Sequence, residues 1–211
     1  MKLENSKIIF LGDSITEGSG TSSKDKTFHQ IISREYGLSA AYNCGIGGTR
    51  IAKQNDFFFH PNHIQDMYFA LRVDALPEEA DAIVVFGGTN DFGHGDALMG
   101  DIDSIDVKTF CGAVNVLINK LKEKYPEAEI IFMTPLRRVT EDTPNVNGYI
   151  LKDYVEKLIQ ILQKQNIPFI DLFTSEIFDI FDKEIVPDGL HPSDKGHVIM
   201  ADYIAKELQK I

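Results

Sequence analysis

Three short runs of unbroken apolar residues constrain this chain more than anything else in it: Lys7–Leu11 (KIIFL), Ala82–Phe86 (AIVVF) and Glu129–Thr134 (EIIFMT). None alternates polar with apolar, so a strand made from any of them must be covered on both faces. Between them lie longer segments with helical spacing. Thr27–Tyr36 is closed by Gly37. In Val107–Tyr125, Asp106 is placed to cap and Phe110, Val114, Leu117, Ile118 and Leu121 share one face. Tyr149–Gln165 follows, and then Ser193–Gln209 with Ser193 as cap. Ala40–Asn43 and Pro168–Leu172 read as further strands, and His63–Leu76 as a helix after the Pro61-Asn62 break. Strands alternating with helices predict an α/β fold, with a mostly parallel five-stranded sheet covered by helices on both faces. Right-handed crossovers would then bring every strand's carboxyl end to one edge.

The chain has 211 residues, 43% of them hydrophobic and 25% charged. This suits a single domain over residues 1–211 with a full core. Cys44 and Cys111 are far apart and lack metal-finger or redox spacing, so reduced thiols are expected. The net charge of −11 disfavours nucleic acid and anionic membrane as partners, and favours a neutral or cationic substrate. No apolar run approaches the ~18 residues of a membrane span. The amino terminus is too charged for a signal peptide, so a cytoplasmic location is the expectation.

Four clusters fall at the expected strand ends: Gly12-Asp13-Ser14-Ile15-Thr16, Asn43-Cys44-Gly45-Ile46-Gly47-Gly48-Thr49, Gly87-Gly88-Thr89-Asn90-Asp91, and Asp188-Gly189-Leu190-His191-Pro192. Acyl transfer needs a nucleophile, a base, an orienter for the base, and donors for an oxyanion. Ser14 can supply the first and His191 the second. Asp188, three residues before His191, can hold the imidazole. The backbone N–H groups of Ser14 and Gly48 and the side-chain amide of Asn90 can converge as donors. Asp13 and Asp91 are read as acceptors of backbone N–H groups that fix their loops, and Gly45 and Gly47 as turn glycines.

Block by block and in order, these clusters resemble the SGNH hydrolase (GDSL-type esterase) family, over residues 12 to 192. The resemblance implies a flavodoxin-like three-layer α/β/α fold and an esterase or acylhydrolase that needs neither metal nor cofactor. Gly47 departs from it, standing where many members carry a serine. The expected substrate is a small-molecule or glycan ester with a short acyl group, acetyl on a sugar being one form. A thioesterase or lysophospholipase on a longer chain is the enzymatic alternative, with Phe57–Phe59 as a candidate apolar wall. A non-catalytic carbohydrate- or phosphate-binding module is the alternative of another class, since Gly12–Ser23 is rich in glycine and hydroxyls. That loop lacks the GxxxxGK[ST] pattern.

Secondary candidates for substrate contact are His94, in a glycine-flanked Phe92–Asp96 loop expected to be mobile, and Arg50 and Arg137, which follow strand ends. His60 and His63 with Asp56 and Asp66 lack ligand spacing, and a surface helix start is the favoured reading. The oligomeric state is open.

Overall fold

The apolar runs pair side by side. A computed structural model describes residues 1–53 and 67–211. In it, β1 (Lys7–Gly12), β2 (Ala40–Gly45), β3 (Ala82–Phe86), β4 (Glu129–Met133) and β5 (Phe169–Ile170) form one sheet in the order β2-β1-β3-β4-β5. Every pairing is parallel, with Gly12 opposite both Gly45 and Phe86, and Phe86 opposite Met133. The helices are α1 (Ser14–Glu17), α2 (Phe28–Tyr36), α3 (Phe69–Arg72), α4 (Thr89–His94), α5 (Phe110–Lys124), α6 (Leu151–Lys164) and α7 (Asp194–Leu208).

Successive strand residues point to opposite faces, and each face has its own core. Ile9, Leu11, Ile83, Val85 and Phe132 pack with Phe110, Leu117, Tyr154 and Leu158 of α5 and α6. Ile8, Phe10, Val84, Phe86, Ile131 and Met133 pack with Phe28, Ile32, Met200 and Ile204 of α2 and α7. Two covered faces explain why the buried positions of β1, β3 and β4 run as unbroken apolar residues. The core is sealed without a disulfide, and both cysteines are free. No helix among the described residues is long and apolar enough to cross a membrane.

Several boundaries differ from the sequence expectation for local reasons. Helix α5 begins at Phe110, because Thr109 rather than Asp106 is its cap: the Thr109 hydroxyl accepts the Gly112 N–H at 3.2 Å. Asp106 instead accepts the N–H of Lys108 at 3.0 Å and shapes the approach. Helix α4 (Thr89–His94) takes in residues 92–94 of the loop expected over Phe92–Asp96, with Gly93 inside the helix and Gly95 ending it in a left-handed conformation (φ 64°). Strand β5 shrinks to two residues, because Asp171 turns the chain: its carboxylate accepts the N–H groups of Phe173 and Thr174. Of the expected His63–Leu76 helix, the described part is α3 followed by a 3-10 turn over Val73–Ala75.

Candidate active site

In the order 2-1-3, the connections leaving β1 and β3 diverge to opposite faces and leave a crevice at their carboxyl ends. Ser14 stands there as the first residue of α1. Asp13 caps this four-residue helix, its carboxylate accepting the Ile15 N–H at 3.0 Å. The Ser14 N–H, as an opening helical amide, has no partner within its helix. The neighbouring strand has to come very close: a side chain on Gly45 would collide with the backbone N of Glu17. Glycine therefore ends β2, and the loop after it crosses the front of α1.

Ser14 is 8% exposed, and its Oγ lies 2.9 Å from His191 Nε2. On the other side of the ring, His191 Nδ1 lies 2.6 Å from Asp188 Oδ2. The three side chains form one hydrogen-bonded series. With the ring proton on Nδ1, donated to Asp188, Nε2 is left to accept from the serine hydroxyl. Asp188 Oδ1 accepts the backbone N–H of His191 at 2.7 Å and of Leu190 at 2.9 Å, which closes the loop around the carboxylate. Burial pushes the Asp188 carboxyl upward. The bonds from the His191 backbone and side chain and from the Leu190 N–H outweigh it, and hold the group below the ordinary aspartate value.

The donors come from the two neighbouring loops. Gly48 has φ +74°, a left-handed conformation that glycine adopts freely, and a side chain there would meet only open space. No group among the described residues accepts its N–H. The preceding amide, of Gly47, is held by the Glu17 carboxylate at 2.8 Å. Asn90 Nδ2 donates to the Thr49 carbonyl at 3.0 Å, which uses one N–H of the amide and leaves the other. A hydroxyl backed by an imidazole, beside three available N–H groups, is an arrangement able to attack a carbonyl and hold the resulting oxyanion.

Asp13 and Asp91 are the loop-fixing acceptors expected from their positions. Asp91 is fully buried and takes the N–H groups of Ile51 at 3.0 Å and Ala52 at 2.9 Å. Desolvation raises Asp91 to about 6 and Asp13 to about 7.

The secondary candidates lie as follows. Arg50 is buried and ion-paired with Asp96, which ties the loop after β2 to the end of α4. His94 is half-buried beside Arg50 and Arg138; burial, then those two cations, lower its pKa. Arg137 is engaged elsewhere: its Nε lies 2.8 Å from Glu141 and its Nη1 2.6 Å from Glu176. Asp56, Phe57–Phe59, His60, His63 and Asp66 lie outside the described residues. Among the described residues, no group of three or more His, Cys, Asp or Glu side chains could hold a metal ion.

Two arginines escaped the sequence reading. Arg72 is buried, its Nη1 donating to the Cys44 carbonyl at 3.0 Å and its Nη2 to the Gly12 carbonyl at 2.9 Å. It thus ties together the ends of β1 and β2, beneath the serine turn. The only signal was a cation in the otherwise apolar stretch Phe69–Val73. The second, Arg138, lies between α4 and the Asp188 loop, and nothing in the sequence distinguishes it from its neighbour Arg137.

The sequence model of the GDSL-like lipase/acylhydrolase family matches residues 10–199. An acetylxylan esterase from Xylanibacter ruminicola is 24% identical over 96% of this chain and 43% of its own length, so this chain spans less than half of that relative. A solved protein from Lactobacillus plantarum, 26% identical, superposes with a TM-score of 0.76 over 98% of this chain and 96% of its own. A possible lipase from Chitinophaga pinensis, 22% identical, gives 0.72 over 97% and 98%, a likeness of fold.

Proposed function

The chain belongs to the GDSL-like lipase/acylhydrolase family, and on that premise we propose that it hydrolyses carboxylic esters through an acyl enzyme on Ser14. The observation that carries this reading is the series from Ser14 Oγ to His191 at 2.9 Å and from His191 to Asp188 at 2.6 Å. His191 Nε2 takes the serine proton as Oγ attacks the ester carbonyl. The oxyanion is held by the N–H groups of Ser14 and Gly48 and the amide of Asn90. As the intermediate collapses, His191 returns the proton to the departing alcohol. Water then enters, gives its proton to His191 and adds to the acyl carbonyl. The acid leaves as Ser14 regains its proton.

The proposed substrate is a short-chain acyl ester, acetyl on a carbohydrate being the favoured form. The support is the weak likeness to an acetylxylan esterase and the acidic chain, which suits a neutral alcohol. The test is turnover of 4-nitrophenyl esters of increasing acyl length. Wild type should prefer acetate, and Ser14→Ala should lower kcat by about 10⁴-fold or more while melting at the same temperature. A Ser14→Ala protein keeping a tenth of the wild-type rate would overturn the mechanism, and a preference for long acyl chains would overturn the substrate class.

A further inference from the structure

The segment after β4 bridges the two halves of the candidate site. The Val139 N–H donates to the Gly189 carbonyl at 3.1 Å, so this segment lies along the loop that carries Asp188 and His191. On its other side is Arg138. Its Nη1 lies 3.3 Å from both the carbonyl and the hydroxyl of Thr89, the residue before Asn90. Its Nε donates to Thr140 Oγ1 at 3.0 Å, and its guanidinium carbon stands 5.4 Å from the centre of the Phe92 ring. Asp188 and Asp13 both act on it electrostatically, while burial lowers its pKa.

A guanidinium carries five N–H donors. Here Nε and Nη1 are engaged by Thr140 and Thr89, whereas no acceptor for Nη2 is found among the described residues. Nor is Nη2 one of the sealed polar atoms of the core. A half-buried cation with two open donors, coupled electrostatically to the Asp188 carboxylate that holds His191, is able to receive oxygen. A short acyl group offers no oxygen beyond its carbonyl, which the oxyanion donors take. The matching oxygens must therefore come from the alcohol. An anionic alcohol would meet the carboxylate of Asp188 and a chain of net charge −11, so a neutral, hydroxyl-rich one fits better.

We propose that Arg138 is a specificity-determining residue whose Nη2 donates to a hydroxyl or ring oxygen of the leaving alcohol, selecting polyol esters, sugars among them, over alkyl or aryl esters of the same acid. This rests on the hydrolase reading above.

The test compares kcat/KM for a monoacetylated pentoside with that for 4-nitrophenyl acetate, in wild type and in Arg138→Gln, Arg138→Lys and Gly93→Ala. Arg138→Gln should lower the ratio by about 10- to 100-fold, as loss of a hydrogen bond from a charged donor implies. Lysine should restore only part of it, being a point charge without the planar fork. Gly93→Ala keeps the arginine but would set a methyl 2.9 Å from its Nη1, too close for a carbon, so the guanidinium must shift and the ratio should fall too. Should Arg138→Gln fail to fold, the other two variants decide the question. A purely structural role would slow both esters alike. A ratio within threefold of wild type in the folded variants, with both esters still cleaved in a Ser14-dependent way, would overturn the Arg138 assignment alone. Absence of Ser14-dependent cleavage of either ester by wild type would overturn the hydrolase reading beneath it.

Discussion

Replacing Asn90 by alanine tests the oxyanion assignment, because the structure gives the side chain two separable duties. One N–H of its amide is bonded to the Thr49 carbonyl at 3.0 Å, and the residue is 8% exposed. Losing that bond should destabilise the fold by about 1 kcal/mol, a shift of roughly 2–4 °C in Tm for a domain of this size. The second N–H is the one proposed for the oxyanion. Its partner carries full negative charge only in the transition state, and the amide is already oriented by Thr49 before substrate arrives. Losing it should lower kcat by about 10²- to 10³-fold, or roughly 3–4 kcal/mol, with KM little changed. The two losses differ enough to be read independently, by steady-state kinetics on 4-nitrophenyl acetate and by thermal unfolding. A raised KM with kcat intact would make Asn90 a substrate-binding residue and refute the assignment. So would an unchanged rate in a protein whose Tm had fallen.

Asp188→Asn should lower kcat by about 10²- to 10⁴-fold without unfolding the protein. The lower bound reflects a carboxylate side chain 55% exposed, where water can replace part of its role; a less than tenfold loss would mean that Asp188 does not orient His191. Arg72→Leu should destabilise the fold by about 3 kcal/mol, because the buried Gly12 carbonyl and the part-buried Cys44 carbonyl lose a charged donor. Denaturant unfolding would measure it, and a loss under ~1 kcal/mol would show that the strand ends hold without it. The stability of the wild type should depend on buried His29, whose pKa is lowered to about 4, first by desolvation. The unfolded chain takes the proton more readily, so the contribution is full above about pH 6.5 and is lost as pH falls toward 4, up to roughly 3 kcal/mol. The stability advantage of wild type over His29→Gln should shrink accordingly between pH 7 and 4.5, and parallel curves would refute it.

What was legible in the sequence follows from the length of the physical signal. KIIFL, AIVVF and EIIFMT had to be buried on both faces, so a parallel sheet and its carboxyl edge followed. Once that edge was known, the clusters around Ser14, Gly48, Asn90 and Asp188–His191 fell to one side of the sheet. Signals that depend on a single bond were not legible. Thr109 and Asp106 are both competent caps, and only the path of the chain decides between them. Arg137 and Arg138 are adjacent and chemically identical; the turn after β4 sends one to Glu141 and Glu176 and the other to Thr89. Helix α4 was hidden by Gly93 and Gly95, which weaken helical propensity, although one of them serves only to end it.

The groups that hold the candidate site in place are mostly not the groups proposed to react. Glu17 fixes the Gly47 amide next to the Gly48 donor, Thr49 orients Asn90, and Asp91 anchors Ile51 and Ala52 just beyond. Arg72 also reaches Thr49, its Nη2 lying 3.3 Å from the hydroxyl, while it ties the end of β1 to the end of β2. Thr49 is thus a junction, contacted by Asn90 through its carbonyl and by Arg72 through its side chain. The loop bearing Gly48 is gripped from the serine turn, from the third strand's helix and from below. Donors set this way need little reorganisation when charge develops on a bound oxygen, which is where electrostatic stabilisation gains its size. It follows that substitutions at Glu17 or Arg72, though neither is proposed to touch substrate, should act on kcat through the Gly48 loop more than on KM.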